Sequence, residues 1–279
     1  MNIRRVRFSY PTFDKGRKMK RARDYKRAAS ERMFTKFGKL AGATAIYGAV
    51  YGAIVMAALI VYTLNLMSKG VFASIATMEM YLDETVNSPV YIISFEVIVL
   101  LVGAVLSTLS VGIQYMCLKC ARREELKLSD LFYAIKNNPD KVIIIYIIEQ
   151  LLMILCAIPA NLISIFTDVE NNIAMFVLSY VLLFASYIAD IIIATLFSQA
   201  LFLYIDNPME NTLTCIEMSV QVMKKHIGRY VLILLSFIPL YSLASFSFGL
   251  FLLWVIPYKY TTLALFYMQL KGELGEEYI

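Results

Sequence analysis

Three ionisable side chains interrupt stretches that are otherwise almost wholly apolar. Glu149 lies in VIIIYIIEQLLMILCAIPANLI, Asp190 in IAMFVLSYVLLFASYIADIIIATLF, and Lys259 in FGLFLLWVIPYKYTTLALFYMQL. A charge at the centre of a bilayer costs about 2.5–3.5 kcal/mol on insertion scales, so each needs a partner or a purpose. Counted inward from the basic ends of their segments at about 1.5 Å per residue, Glu149 sits roughly 12 Å deep, Lys259 roughly 16 Å and Asp190 roughly 20 Å. Tilt and the length of a lysine allow the three to meet. Glu96 falls nearer the opposite surface, within reach of interfacial water. Two chemistries fit the trio: a polar site that binds or relays an ion or an anionic headgroup, or a buried Lys259–Asp190 or Lys259–Glu149 pair that fixes helix packing. The pair is the favoured reading, because buried ions are paired whether or not they do work.

Other chemistry finds less support. Cys117 and Cys120 form a CxxC, and Cys215 and His226 fall on the same side of the chain, but a single CxxC without a second close pair is a poor zinc signature. Neither metal nor cofactor is expected. Four cysteines in 279 residues do not form a disulfide framework, and Cys156 reads as packing. There is no phosphate-cradling glycine loop, no G-x-S-x-G elbow and no H-E-x-x-H helix. One histidine leaves little room for a triad, and an enzyme is not expected.

The elements that carry these residues follow from composition. Hydrophobic residues make up 59% of the chain and charged residues 17%, against about 45–50% and 25% for a soluble domain; the mean hydropathy is +0.66. A water-facing surface cannot hold that excess. Unbroken apolar runs, rather than dyad alternation, exclude a β-barrel. The sequence therefore predicts an all-α, polytopic membrane bundle over residues 40–270 with six spans, at about 40–66, 91–117, 142–165, 173–204, 230–245 and 249–270. The division near Ser245–Gly249 is needed because residues 230–270 are too long for one crossing. The first apolar run begins too late for a cleaved signal peptide.

Charge is distributed unevenly. Residues 1–39 form a basic arm with fourteen Lys and Arg against Asp14, Asp24 and Glu31. Lys and Arg also crowd the loops after the second and fourth spans (Lys119 to Lys141, Lys224 to Arg229), whereas the intervening loops are acidic or nearly uncharged. The positive-inside rule then places both termini, including the tail 271–279, in the cytoplasm. Arg17, Lys18, Lys20, Arg21, Arg23, Lys26 and Arg27 are candidate contacts to anionic phospholipid headgroups, with Met33, Phe34, Phe37 and Leu40 as interfacial anchors. Lipid is favoured over nucleic acid because the arm adjoins a span. Two interfacial helices are predicted, at about 129–137 with Ser129 as cap, and at about 208–227. In the second, Leu213, Ile216, Val220, Met223 and Ile227 share one face, Asn207 caps and Gly228 marks the exit. Gly48-xxx-Gly52 in the first span lets backbones approach closely; packing within the bundle is favoured over a homodimer or another protein partner.

Several blocks carry a family resemblance: LKLSDLF (126–132), IDNP (205–208), MSVQVMKKHIGRYVLILLSFI (218–238) and FGLFLLWVIPYKYTTLALFYMQL (248–270). Over roughly Tyr115–Leu270 the chain resembles a bacterial multi-spanning family catalogued as domain of unknown function 975. The most specific block contains Trp254, Pro257, Tyr258, Thr261, Thr262, Phe266 and Tyr267. The basic arm and first span match the family poorly, and the glycine-rich turn usual before the tryptophan is reduced to SFGLFLLW. The resemblance implies a bacterial cytoplasmic membrane location and supplies no catalytic residue. The expected function is non-enzymatic engagement of anionic lipid or partner proteins at the inner face. The alternative is a small carrier with its polar site at Glu149, Asp190 and Lys259.

Overall fold

The computed structural model describes residues 20–81, 88–166 and 173–274, and among them there is no strand. Five helical stretches are long and apolar enough to cross a bilayer: Phe37–Ser68, Ile93–Ala121, Pro139–Ile163, Ile173–Asp206 and Ile227–Phe246. They belong to α2 (Phe37–Ser68), α4 (Pro89–Ala121), α6 (Pro139–Phe166), α7 (Ile173–Phe197) with α8 (Ala200–Asp206), and α10 (Ile227–Leu235) with α11 (Ile238–Phe246). The short α3 (Ile75–Tyr81) follows α2, α5 (Tyr133–Lys136) precedes α6, and α9 (Thr212–Met223) precedes α10.

Five of the six expected crossings fall on these helices. The sixth expected segment is α12 (Leu252–Leu270), whose 19 residues include Lys259, Thr261, Thr262 and Gln269. It forms the centre of the bundle. Every residue from Thr261 to Leu270 is buried, with α1 (Ala22–Phe34), α2, α4 and α11 packed around it. A helix enclosed on all sides has no outer polar face, so its sequence lacks an amphipathic period. The chain enters α12 by reversing after Phe246, at the expected break, through Phe248 (φ +49°) and Gly249 (φ +83°) in the left-handed region.

The basic arm is not merely an arm. Residues 22–34 form α1, whose Tyr25, Ala28, Ala29 and Met33 recur along one helical face and are buried. Tyr25 donates to Gln269 Oε1 and its ring meets Phe266 edge-on at 5.8 Å. The arm was read for its charge alone, as a contact to anionic headgroups, but four correctly spaced residues dock its helix against the bundle.

The interfacial helices also differ from expectation. The helix that should begin after Asn207 begins at Thr212, because Asn211 is its cap and accepts from the Leu213 N–H at 3.2 Å. Its buried face is Thr212, Cys215, Ser219 and Met223, whereas Leu213 is 62% exposed. Gly228 lies inside α10 rather than at a helix exit. Before α5, a 3-10 turn covers Leu128–Phe132; Asp130, not Ser129, caps it by accepting from the Lys127 N–H at 3.0 Å.

Two helix interruptions are repaired from outside. Between α7 and α8, Ser219 of α9 donates to the Leu196 carbonyl at 2.5 Å and accepts from the Gln199 N–H at 3.2 Å. Between α10 and α11, Lys26 of α1 donates to the Ser236 carbonyl at 2.9 Å with its ammonium 4.3 Å from the centre of the Phe237 ring.

Small residues set the closest approaches. A Cβ at Gly112 of α4 would land on the Leu131 main-chain carbonyl, with Leu131 Cα at 2.9 Å. At Gly48 and Gly52, by contrast, a Cβ meets nothing within 4 Å, so these glycines do not seat a neighbour inside the bundle as expected. Overpacking costs about 1–3 kcal/mol. Gly112→Ala should therefore lower the thermal midpoint in detergent by several degrees, while Gly48→Ala leaves it unchanged or raises it slightly. Equal midpoints for the two variants would contradict the packing described.

Candidate functional site

The intramembrane charges are arranged differently from the expected pair. Among the described residues, no ion pair within 4.0 Å joins Lys259 to Glu149 or Asp190. Lys259 lies instead among tyrosines, with its ammonium 4.6 Å from the Tyr260 ring centre and 5.8 Å from that of Tyr241. A cation over an aromatic face is attracted by the ring quadrupole, which is how a lysine can remain in the bundle without a carboxylate. Asp190 Oδ1 is buried, with no hydrogen-bond partner among the described residues.

The densest polar construction is at the other end of these helices, where α4, α8 and α12 finish. Asp206, 7% exposed, accepts from Arg122 Nη1 at 2.7 Å and Nη2 at 2.9 Å, from the Tyr267 hydroxyl at 2.7 Å and from Lys271 Nζ at 2.6 Å. Glu273 extends the network to Arg122 at 3.0 Å and to Lys271 at 2.9 Å. Burial works to lower Lys271, but its hydrogen bonds to Asp206 and Glu273 more than reverse this and hold it above the ordinary lysine value. Arg122 is likewise raised: burial opposes the charge, and Asp206 and Glu273 overcome it. A second pair, Lys119–Asp130 at 2.9 Å, fixes the 3-10 turn to α4.

Around this network, cations end on main-chain carbonyls. Arg32 donates to Ala121 and Lys36 to Glu124, and Lys39 reaches Leu126 at 2.8 Å. Lys141 bonds Pro208 at 2.7 Å and Glu210 at 2.9 Å, and Arg229 bonds Lys20 at 2.5 Å. The last carbonyls of a helix have no intrahelical donor, and cations also complement the negative end of its dipole.

Of the candidate lipid contacts, Arg17 and Lys18 lie outside the described residues. Arg21, Arg23 and Arg27 are exposed on the outer side of α1. Lys26, half-buried, donates to the Ser236 carbonyl. Of the expected anchors, Phe34 is 87% exposed and Phe37 also faces outward, whereas Met33 and Leu40 are buried. Sequence reading missed Asp206, Tyr267 and Lys271, although an aspartate just before Asn-Pro at the end of an apolar run was a usable signal.

The four cysteines are free thiols. Cys117 Sγ lies 3.6 Å from the Pro257 carbonyl and Cys120 Sγ 3.5 Å from that of Arg32. Burial, aided by Glu210, pushes the Cys215 thiol up to about 11, and burial with Arg229 and Lys225 lowers His226. Among the described residues no three His, Cys, Asp or Glu side chains gather closely enough to hold a metal.

Residues 49–273 match the family described as protein of unknown function (DUF975), and the chain belongs to that family. The match begins within α2, so it takes in most of the first apolar helix and extends beyond the segment from which the resemblance was first read. No curated protein and no solved structure matches the chain. The residues that carry the resemblance now have places: Asp206 is the hub of the network, Asp130 caps the turn over Gly112, and Pro257 to Tyr267 line the buried helix.

Removing one member of a buried ion pair costs about 3–5 kcal/mol. Asp206→Asn should lose stability of that order in reversible unfolding from detergent, and Arg122→Gln should add little once Asp206 is gone. Arg27→Gln, which breaks an exposed pair with Glu31 at 3.1 Å, should change it by less than about 0.5 kcal/mol. Additive losses at Asp206 and Arg122 would show that the two do not act as one unit.

Proposed function

We propose that this member of the family is a non-enzymatic integral protein of the bacterial cytoplasmic membrane, with both termini on the inner side and its basic end engaging anionic phospholipid headgroups. The observation that carries the reading is the separation of the cations into two groups. Lys26, Arg32, Lys36, Lys39, Lys141 and Arg229 hold main-chain carbonyls, whereas Arg21, Arg23 and Arg27 face outward from a helix whose other face is docked. Phe34 and Phe37, exposed beside them, suit the boundary between headgroups and acyl chains. Basic residues at an anionic leaflet gain about 1 kcal/mol each.

A second reading, a small carrier using Glu149, Asp190 and Lys259, is favoured by one feature: Asp190 Oδ1 is buried without a hydrogen-bond partner among the described residues, an arrangement that leaves an acceptor for a transported cation or a proton.

Adding phosphatidylglycerol to the detergent-solubilised protein should raise the thermal midpoint by several degrees more than phosphatidylcholine does. The variant with Arg21, Arg23 and Arg27 all changed to Gln should lose most of that difference, and 0.5 M salt should reduce it. Equal shifts from the two lipids would remove the lipid reading. The carrier is tested by ion or proton flux in proteoliposomes; flux above empty vesicles that vanishes in Asp190→Asn would establish it in place of the first reading.

A further inference from the structure

The hairpin of α10, α11 and α12 reverses through residues 247–251, at the end of α12 opposite the basic one. The connection is short and uncharged. From Tyr230 to Tyr258 there is no Asp, Glu, Lys, Arg or His. By contrast, the connection that follows α2 contains Lys69 and Glu79, and that between α6 and α7 contains Asp168 and Glu170. Charged side chains hold a loop in water; this turn has none.

Its backbone also needs little from water. The Ser247 and Gly249 N–H groups bond the Ala244 carbonyl at 3.2 and 3.1 Å. Leu250 bonds Ser247 at 3.1 Å, Leu252 bonds Gly249 at 2.9 Å and Leu253 bonds Leu250 at 3.2 Å. The Ser247 hydroxyl accepts from the Phe251 N–H at 3.0 Å and donates to the Ala244 carbonyl at 2.9 Å. From Ser247 to Leu253, only the Phe248 N–H has no partner among the described residues. Lipid-exposed turns do not occur within the hydrocarbon itself. A turn this nearly self-satisfied, with one N–H left over, suits the boundary just outside it.

The side chains at the tip are apolar and face outward: Phe246 is 83% exposed, Phe248 100% and Leu250 72%. Phe248 stands at φ +49°, a left-handed conformation that is unfavourable for a bulky residue. It gains no packing inside the chain in return. An aromatic side chain held outward by a strained turn has its contacts outside the molecule. Length sets the depth of those contacts. The 19 residues of α12 rise about 28 Å at about 1.5 Å each, close to the thickness of the hydrocarbon, about 30 Å. Counted from Lys271, the turn reaches the far boundary with no length left for an external loop. The chain's only tryptophan, Trp254, lies partly exposed in the first turn of α12, at the level where aromatic belts sit.

We propose that residues 246–250 form a lipid-embedded tip at the headgroup–acyl boundary of the leaflet opposite the basic end, with Phe246, Phe248 and Leu250 inserted among the chains. Lipid rather than protein covers this surface, because no polar side chain is left there to recognise a partner. The hydroxyls of Ser242, Ser245 and Ser247 are all turned onto carbonyls of α11. The contact goes beyond the proposed engagement of anionic headgroups, and it is the same whichever face of the membrane holds the termini.

Two measurements on the full-length protein in phosphatidylcholine bilayers test the tip. Phe248→Trp in a Trp254→Phe background has one tryptophan. Lipids brominated near the headgroup end of the chain should quench its fluorescence at least twofold more than lipids brominated near the methyl end, and more than aqueous iodide. Phe248→Cys, with Trp254 intact, should react with a membrane-impermeant maleimide in open membrane sheets at least tenfold more slowly than Glu124→Cys, an exposed residue beyond α4. The unsubstituted chain, with its four free thiols, gives the background. Labelling of Phe248→Cys as fast as Glu124→Cys, or quenching by iodide without quenching by bromolipid, would overturn the tip. A slow thiol without bromolipid quenching would put a protein there and overturn the lipid contact equally. Equal stabilisation of the wild type by phosphatidylglycerol and phosphatidylcholine would end the headgroup reading and leave the tip standing.

Discussion

Main-chain carbonyls that no helix can satisfy organise this protein. In hydrocarbon every backbone polar group needs an internal partner, and a helical bundle meets that demand everywhere except at helix ends and breaks. Those points are where the long polar side chains go. Lys26 closes the gap between α10 and α11, Ser219 that between α7 and α8, and Arg32, Lys36 and Lys39 cover the exit of α4. Much of the positive charge at the basic end is therefore structural. It ties separate elements together, since each donor and its acceptor belong to segments distant in the sequence.

That arrangement explains why α12 can be so thoroughly enclosed. A central helix with Thr262, Tyr267 and Gln269 on its surfaces must find partners for them within the bundle. Thr262 donates to the Tyr258 carbonyl at 2.7 Å, Tyr267 to Asp206, and Gln269 accepts from Tyr25. The last two contacts come from α8 and α1, so the network at the basic end and the packing of the central helix form one structure. α8 and α12 both lie within the residues that match the family, and the family's description assigns no reaction.

The sequence made the helical class, the apolar segments and the turn before α12 legible, because length and hydropathy alone determine them. It also displayed the docked face of α1, in Tyr25, Ala28, Ala29 and Met33, although the charge of the arm concealed it. The face of α9 was misread for a physical reason. Leu213 and Val220 outrank Cys215 and Ser219 in hydrophobicity, but a helix lying against the break between α7 and α8 needs small residues and a hydroxyl there. Partner choice was least legible. Lys259 seemed to require a carboxylate, yet tyrosine rings supply its surroundings, and rings with hydroxyl groups are not distinguishable from ordinary packing in a list of residues.

Charge alone is thus a poor guide to what the basic end touches. Fourteen Lys and Arg in residues 1–39 suggest a uniform electrostatic surface, but the folded chain divides the described ones by geometry. Arg21, Arg23 and Arg27 project from a docked helix and can act only through the surrounding field, which salt screens over about 10 Å at 0.1 M. Arg32 and Lys36 are instead turned onto main-chain carbonyls at the exit of α4, so their charge ties the segment around the end of α1 to that helix end rather than adding to an outer field.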